Sequence, residues 1–156
     1  MNLSNKKSII LGLLIIVVVS FATGCGFYNL VDTKEFKEHF GALGYSTSDT
    51  ETPLYDTAES YVVATKSDVP FKIEYYEFES EVEAKKVYVK YTDSIVDYIT
   101  TDSKDTEVTG AVYAKWTSIS QGEYIKISRV KNTLIFINGT VEFKDEIDKL
   151  LEDIKY

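Results

Sequence analysis

Cysteine, histidine and arginine are almost absent from this chain of 156 residues, in which each occurs once. A single cysteine excludes an intramolecular disulfide, so the folded part depends on its apolar core for stability. The one histidine, His39, is the only base of the usual type that could activate a serine or cysteine nucleophile. No nucleotide-binding, catalytic or metal-binding motif is present. We therefore expect no enzymatic activity and no cofactor.

Positive charge is also scarce, since 17 lysine and arginine residues face 25 acids and the formal net charge is −8. Removing residues 1–24, which hold two lysines and no acid, takes this charge to −10. Phosphate groups repel such a surface, which excludes nucleic acid as a partner. The overall charge should not draw the folded part to an anionic bilayer either. Membrane attachment must then have another source.

The N-terminal segment holds the long hydrophobic run of the chain. Two lysines precede an apolar stretch at residues 9–19, and small residues lead from it to Cys25. A basic start, an apolar core of about 7 to 15 residues and small residues before the cleavage point form the pattern of an export signal. A membrane-spanning helix needs about 20 apolar residues, more than this segment offers. The pattern predicts export, with a retained membrane anchor as the alternative.

The motif Ala22-Thr23-Gly24-Cys25 resembles the lipobox of bacterial lipoproteins, although Ala22 stands where that family most often has leucine. The resemblance implies a signal peptide at residues 1–24, cleavage between Gly24 and Cys25, and a diacylglycerol on the Cys25 thiol. Lipidation also accounts for a lone cysteine that would otherwise be an exposed thiol outside the cell. We expect a lipid-anchored protein on the extracytoplasmic face of the cell membrane. Each methylene of the acyl chains that is buried in the bilayer contributes about 0.8 kcal/mol to the free energy of membrane binding.

After the cysteine, a short tether at residues 25–31 leads into a single domain, residues 32–156, without internal repeats. Three helices are expected in this domain. Asp32 and Ser80, each followed three residues later by glutamate, are the capping signals of the first two. The third helix has its apolar side chains on one face between residues 143 and 154.

The remaining segments predict a sheet. Gly44 is expected to end the first helix in the left-handed conformation, and the polar interval 46–59 after it is expected to be a loop. Five runs have the composition of strands: residues 61–66, 71–79, 108–119, 123–131 and 133–138. The order is α-β-β-α-β-β-β-α. Its short connections predict an α+β fold with an antiparallel sheet of about five strands and three helices packed on it.

Several segments of this domain resemble a group of small Gram-positive surface lipoproteins of unknown function. The likeness spans roughly residues 33–156, and the segments that carry it are 76–80, 128–134, 144–147 and the final Tyr156. The group implies a fold and no activity.

Arg129 is the main candidate for a functional side chain. It follows Ile125 and Ile127 on one face of a predicted strand. One interpretation is an internal ion pair at the edge of the core. The other is a carboxylate ligand held by two hydrogen bonds, with Trp116 and Tyr124 completing a small-ligand site.

Two groups of side chains could suggest a metal ion. His39 lies one helical turn from Glu35, but no third ligand of matching type is evident. Asp102, Asp105 and Glu107 lack the alternation and the central glycine of an EF-hand loop. We expect a helix-surface histidine and a solvated acidic loop, and therefore no metal site.

Two predicted strands, at residues 71–78 and 134–137, are apolar on both faces. Either helices cover both faces of the sheet, which we favour, or one face is exposed to a partner. We expect a non-catalytic binding or interaction module, serving a membrane complex or another surface protein. A small-ligand receptor is the alternative, and a surface hydrolase comes third.

Overall fold

The computed structural model describes residues 28–50, 55–96 and 103–156. The predicted signal peptide and Cys25 lie outside the described residues. The elements in chain order are α1 Thr33–Ala42, β1 Ser46–Asp49, β2 Ala58–Thr65, β3 Lys72–Phe78, α2 Glu81–Val96, β4 Lys104–Thr109, β5 Tyr113–Ser120, β6 Glu123–Val130, β7 Thr133–Thr140, a 3₁₀ turn Val141–Phe143 and α3 Lys144–Asp153.

The strands of the described ranges form one antiparallel sheet in the order β1-β2-β3-β7-β6-β5-β4. This confirms the predicted α+β fold, with an antiparallel sheet and three helices. The expected number of strands was wrong, because the sheet has seven rather than about five. The order of elements is accordingly α-β-β-β-α-β-β-β-β-α.

Both extra strands lie at the edges of the sheet. β1 falls in the interval predicted to be a loop, and its four residues are polar and mostly exposed. β4 begins in the segment predicted to be an acidic loop, and all six of its residues are exposed. Edge strands carry polar side chains that discourage further pairing, so they lack the apolar alternation that identifies inner strands.

The strand predicted at residues 108–119 is in fact two strands joined by a tight turn. Gly110 N–H donates to the carbonyl of Tyr113 at 2.9 Å and closes this turn between β4 and β5. The two residues inside it, Ala111 and Val112, are apolar. Because both residues are apolar, the sequence shows no break in the strand pattern at the point where the backbone reverses.

Local signals placed α1 correctly. The Asp32 carboxylate accepts from Glu35 N–H at 2.8 Å, and the Glu35 carboxylate accepts from Asp32 N–H at 3.3 Å, which is a complete capping box. Gly44 follows the helix with φ +83°, as predicted. Tyr45 N–H donates to the carbonyl of Phe40 and Gly44 N–H to that of Gly41, the two bonds of a Schellman motif.

Helices cover both faces of the sheet. The α1/α3 face carries Ile73, Tyr75, Ile135 and Ile137 under α1 and α3. The α2 face lies beneath α2 and carries Tyr61, Tyr76, Trp116, Ile127 and Leu134. Tyr76 and Phe78 are fully buried. The two-sided apolar pattern of β3 and β7 thus reflects coverage on both faces.

Candidate functional site

The three residues predicted to form a ligand site lie on opposite faces of the sheet. Trp116 pairs with Ile127 and Arg129 with Ala114, which places both on the α2 face. Tyr124 is an odd number of positions from Arg129 on β6, and it belongs to the core of the α1/α3 face. Trp116 and Arg129 can therefore share surroundings, but Tyr124 cannot join them around one ligand.

Tyr124 instead belongs to a charged cluster beneath α3, named here the Asp148 cluster. Its hydroxyl donates to Asp148 Oδ1 at 2.6 Å, and Lys144 Nζ donates to Asp148 Oδ2 at 2.8 Å. Lys126 also donates to Asp148 Oδ1. Burial by itself would raise the pKa of Asp148, but these three hydrogen bonds outweigh it and hold the pKa at about 2. Burial raises the pKa of Tyr124, so its hydroxyl remains a donor at neutral pH.

Arg129 forms the internal ion pair predicted as one of its two interpretations. Its Nη1 donates to Glu81 Oε1 at 3.3 Å and to the carbonyl of Lys131 at 3.1 Å. The Arg129 side chain is 3% exposed, whereas that of Glu81 is 46% exposed. Within the described ranges, Arg129 Nε is buried without a hydrogen-bond partner. Arg129 thus links the start of α2 to the turn between β6 and β7.

A cavity of about 370 Å³ borders Arg129, between α2 and the β4–β5 hairpin. We name it the Arg129 cavity. Lys85 and Tyr88 line it from α2, and Glu107 lines it from β4. The Tyr88 hydroxyl donates to Glu107 Oε1 at 3.1 Å. The cavity therefore brings two cationic groups near one carboxylate that is already bonded.

Sequence reasoning missed a buried carboxylate on β3. Glu74 is only 4% exposed, and it accepts from the hydroxyls of Tyr61 at 3.1 Å and Tyr76 at 2.7 Å. Lys72 Nζ lies 2.7 Å from Glu74 Oε1, and the Tyr91 hydroxyl lies 3.3 Å from that of Tyr76. Burial raises the pKa of Tyr76 and Tyr91. The available signal was a glutamate between Ile73 and Tyr75 in a largely apolar strand.

Neither of the two groups of side chains that could suggest a metal ion forms a metal site among the described residues. His39 is on α1, its Nε2 buried with no hydrogen-bond partner among the described residues. Asp102 lies outside the described residues, while Asp105 and Glu107 lie on β4 rather than in the predicted acidic loop. In the part of the chain that the structure describes, no three His, Cys, Asp or Glu side chains are arranged to hold a metal ion.

The first described residues, 28–31, pack onto the domain. The Tyr28 ring lies 3.9 Å from that of Tyr113, and Lys115 Nζ lies 4.5 Å from the Tyr28 ring centre. Asn29 N–H donates to the carbonyl of Lys155 at 3.2 Å. Val31 is 6% exposed, and its carbonyl accepts from the Tyr75 hydroxyl at 2.7 Å. Residues 28–31, predicted to be tether, are thus in contact with the folded domain.

Comparison with known proteins gives one distant structural likeness. No family model matches the chain, and no curated protein matches it. The fold is similar to the crystal structure of a GTP binding regulator from Thermotoga maritima, with 17% identity and a TM-score of 0.48, over 78% of this chain and 84% of that chain. Similarity at this level carries no inference about function. The described residues include no helix long and apolar enough to cross a membrane.

Proposed function

We propose that this protein is an extracytoplasmic lipoprotein, anchored to the cell membrane at Cys25, whose domain acts as a non-catalytic binding or interaction module. The observation that carries the proposal is the position of Cys25. It ends an export-signal pattern and stands three residues before Tyr28, the first described residue, which already packs on the domain.

The short connection supports a role at the membrane surface. Three residues reach at most about 10 Å when extended. The domain is thus held beside the headgroups and meets partners that are themselves in, or bound to, the membrane. Accessory subunits of membrane complexes need such fixed proximity, because anchoring raises the effective concentration of two proteins on one surface.

The buried polar groups of Glu74 and Asp148 are explained by a structural role in the core. Glu74 receives two tyrosine hydroxyls, and Asp148 is bonded to Tyr124 and two lysines. The tyrosine hydroxyls in both places have raised pKa values, so they serve as donors and not as nucleophiles or bases. A network satisfied in this way rigidifies a core.

Replacement of Cys25 tests the anchor. Cys25→Ser should abolish incorporation of labelled fatty acid and leave the precursor uncleaved, because a hydroxyl cannot form the thioether. Thr23→Ser, which keeps a small residue before the cleavage point, should be labelled like the wild type. Labelled Cys25→Ser, or an unlabelled wild type with an intact N terminus, would overturn the lipoprotein assignment. Pull-down of the lipidated protein from membranes, with Cys25→Ser as control, would then identify partners.

A second candidate function, a receptor for small carboxylates, is favoured by the Arg129 cavity. Lys85 and Arg129 both line it, and a carboxylate is the ligand that a guanidinium binds best. Titration with short dicarboxylates should raise the melting temperature of the wild type in a saturable way and leave Arg129→Met unaffected. Equal responses of the two proteins would exclude this receptor site.

A further inference from the structure

We infer that the domain rests on the phospholipid bilayer with one particular end of its sheet, named here the docking end. It comprises Tyr28, Leu30, Val108, Val112 and Lys131. The inference rests on the proposed lipid anchor at Cys25, and it adds which surface of the domain touches the membrane and which lipid chemistry that surface meets.

Chain length determines which end is closest to the bilayer. The lipidated cysteine would place its acyl chains in the hydrocarbon core and its own backbone among the headgroups. Three residues then span about 10 Å to Tyr28, comparable with the roughly 5 to 8 Å that a headgroup layer adds on each side of the core. Tyr28 therefore lies within the headgroup layer or directly above it, where the amphipathic tyrosine ring is favoured.

The surface around Tyr28 has apolar side chains of the kind that contact such a layer. Leu30 is 38% exposed, Val112 is 39% exposed and Val108 is 49% exposed. Val112 precedes Tyr113, whose ring packs at a tilt against that of Tyr28. Val108 pairs in the sheet with Lys115, whose Nζ lies over the Tyr28 ring. Three exposed apolar side chains thus surround the point where the chain leaves for Cys25.

Cationic groups stand beside these side chains. Lys131 is exposed, and its N–H donates to the carbonyl of Val112 at 2.7 Å. Lys155 is exposed and its carbonyl accepts from Asn29 N–H. Glu35, Glu38 and Asp153 line one cavity together with Leu30 and Lys155, so Lys131 is the cationic group that stands apart from these acids. The lysines can contact anionic headgroups, and each such contact adds about 1 kcal/mol near a charged bilayer.

The charge of −10 that remains after removal of residues 1–24 opposes this contact. The covalent anchor is therefore needed to bring the docking end to the surface, and the side chains of that end then orient the domain. A soluble version without the anchor should show no affinity for vesicles of phosphatidylcholine and phosphatidylglycerol.

The opposite end of the sheet offers a matched control. Val141 is 39% exposed, like Val112, and its N–H donates to the carbonyl of Gly122 in the turn before β6. Val112 instead contacts the turn after β6. β6 separates Gly122 from Lys131 by nine residue steps, which is about 30 Å at roughly 3.4 Å per step.

The test uses the full lipidated protein, in which Cys25 is blocked by its thioether. Val112→Cys and Val141→Cys each provide one free thiol for a fluorophore, and the buried Trp116 reports that each variant is folded. Both are reconstituted in vesicles of phosphatidylcholine and phosphatidylglycerol that contain a headgroup spin-labelled lipid. Quenching at Val112 should exceed that at Val141 by about threefold or more, given their separation of about 30 Å. Lys131→Glu should reduce the quenching at Val112.

Equal quenching at both positions, or stronger quenching at Val141, would overturn the inference. Absence of quenching at both positions would also overturn it, because the domain would then stand clear of the bilayer. Mass measurement of the Cys25 peptide separates these results from failure of the anchor itself. A peptide with acyl chains and no preference for Val112 refutes the orientation alone, whereas a peptide without acyl chains refutes the proposed function.

Discussion

Arg129 links two parts of the domain that are distant in the chain. Its guanidinium is buried on the α2 face, yet the carboxylate it meets, Glu81, is half exposed. The sequence alone suggested a partner carboxylate near the core. Because Glu81 can be solvated, most of the stabilising effect of Arg129 must come from its packing and from its bond to the carbonyl of Lys131.

Arg129→Ala should lower the free energy of unfolding by about 3 kcal/mol, since it leaves a cavity and a carbonyl without its donor. Arg129→Met, which fills the same space, should cost less. Glu81→Gln should cost less than about 1 kcal/mol, because an exposed partner contributes little. Urea unfolding measures all three. A wild-type midpoint for Arg129→Ala would refute the structural role and make this residue the first to test in binding assays.

Asp148 should make stability depend on pH. Its pKa in the folded protein is about 2, below the value of about 3.9 for an unfolded aspartate. A depressed pKa stabilises the fold above pH 4, and this contribution is lost as the pH falls from about 4 through 2. Because Asp148 is 24% exposed, solvent screens its interactions in part, and the expected contribution to the free energy of unfolding is about 1 kcal/mol.

The measurement compares urea midpoints of the wild type and Asp148→Asn from pH 7 to pH 2. The wild type should be more stable at pH 7, and the difference should shrink between pH 4 and 2. Asp145→Asn is the control, since the Asp145 side chain is fully exposed. It should stay close to the wild type throughout. A difference for Asp148→Asn that does not change with pH would contradict the assigned pKa.

At the scale of elements, α1 shows how local signals position a helix over the sheet. The capping box at Asp32 begins it, and the Schellman motif at Gly44 ends it. The Tyr45 ring then packs edge-on against Phe40 at 5.5 Å. Phe36, one turn earlier, stacks on Tyr75 of β3 at 4.6 Å. The two ends of the helix thus determine which of its residues reach the core.

Replacement by alanine should have opposite effects on stability at Gly41, inside α1, and at Gly44, which follows it. Gly41 is inside α1, and an added Cβ would meet nothing within 4 Å, so Gly41→Ala should stabilise by about 0.5 to 1 kcal/mol. Gly44 has φ +83°, so Gly44→Ala should destabilise by about 1 to 2 kcal/mol. Thermal unfolding of both variants measures the difference. Equal shifts would show that the left-handed cap is not required.

For the whole molecule, the point where the folded domain begins is decided by packing. Val31 is almost fully buried and its carbonyl accepts from the Tyr75 hydroxyl, and the Tyr28 ring packs against that of Tyr113. Neither residue lies in a helix or strand. Residues 28–31, within the predicted tether, therefore contact the domain without belonging to a helix or strand.

Two truncations test this boundary. A protein lacking residues 1–27 should be soluble and monomeric, since helices cover both sheet faces. A protein lacking residues 1–31 should be less stable by about 3 kcal/mol, because it loses the burial of Val31 and leaves the Tyr75 hydroxyl without its acceptor. Urea unfolding and light scattering measure both. Equal stability would show that residues 28–31 do not contribute to the fold. Association of the protein that lacks residues 1–27 would reveal an exposed apolar surface.

The sequence by itself determined the features that depend on neighbours within one helical turn or one strand. These are the caps of α1, the apolar face of α3, the inner strands and their hairpins, and the motif around Cys25. Each signal lies within a few residues, so reading it needs no knowledge of the rest of the chain.

Only the tertiary structure decided the edges of the sheet, the partners of its charges and the packing of residues 28–31. β1 and β4 are held by backbone hydrogen bonds to a neighbouring strand. Their polar side chains give no sequence signal of this pairing. Tyr124 and Arg129 fall on opposite faces, and each is bonded to residues of another element: Asp148 on α3 and Glu81 on α2. Such contacts join residues far apart in the chain, so they are settled when the sheet and helices pack together.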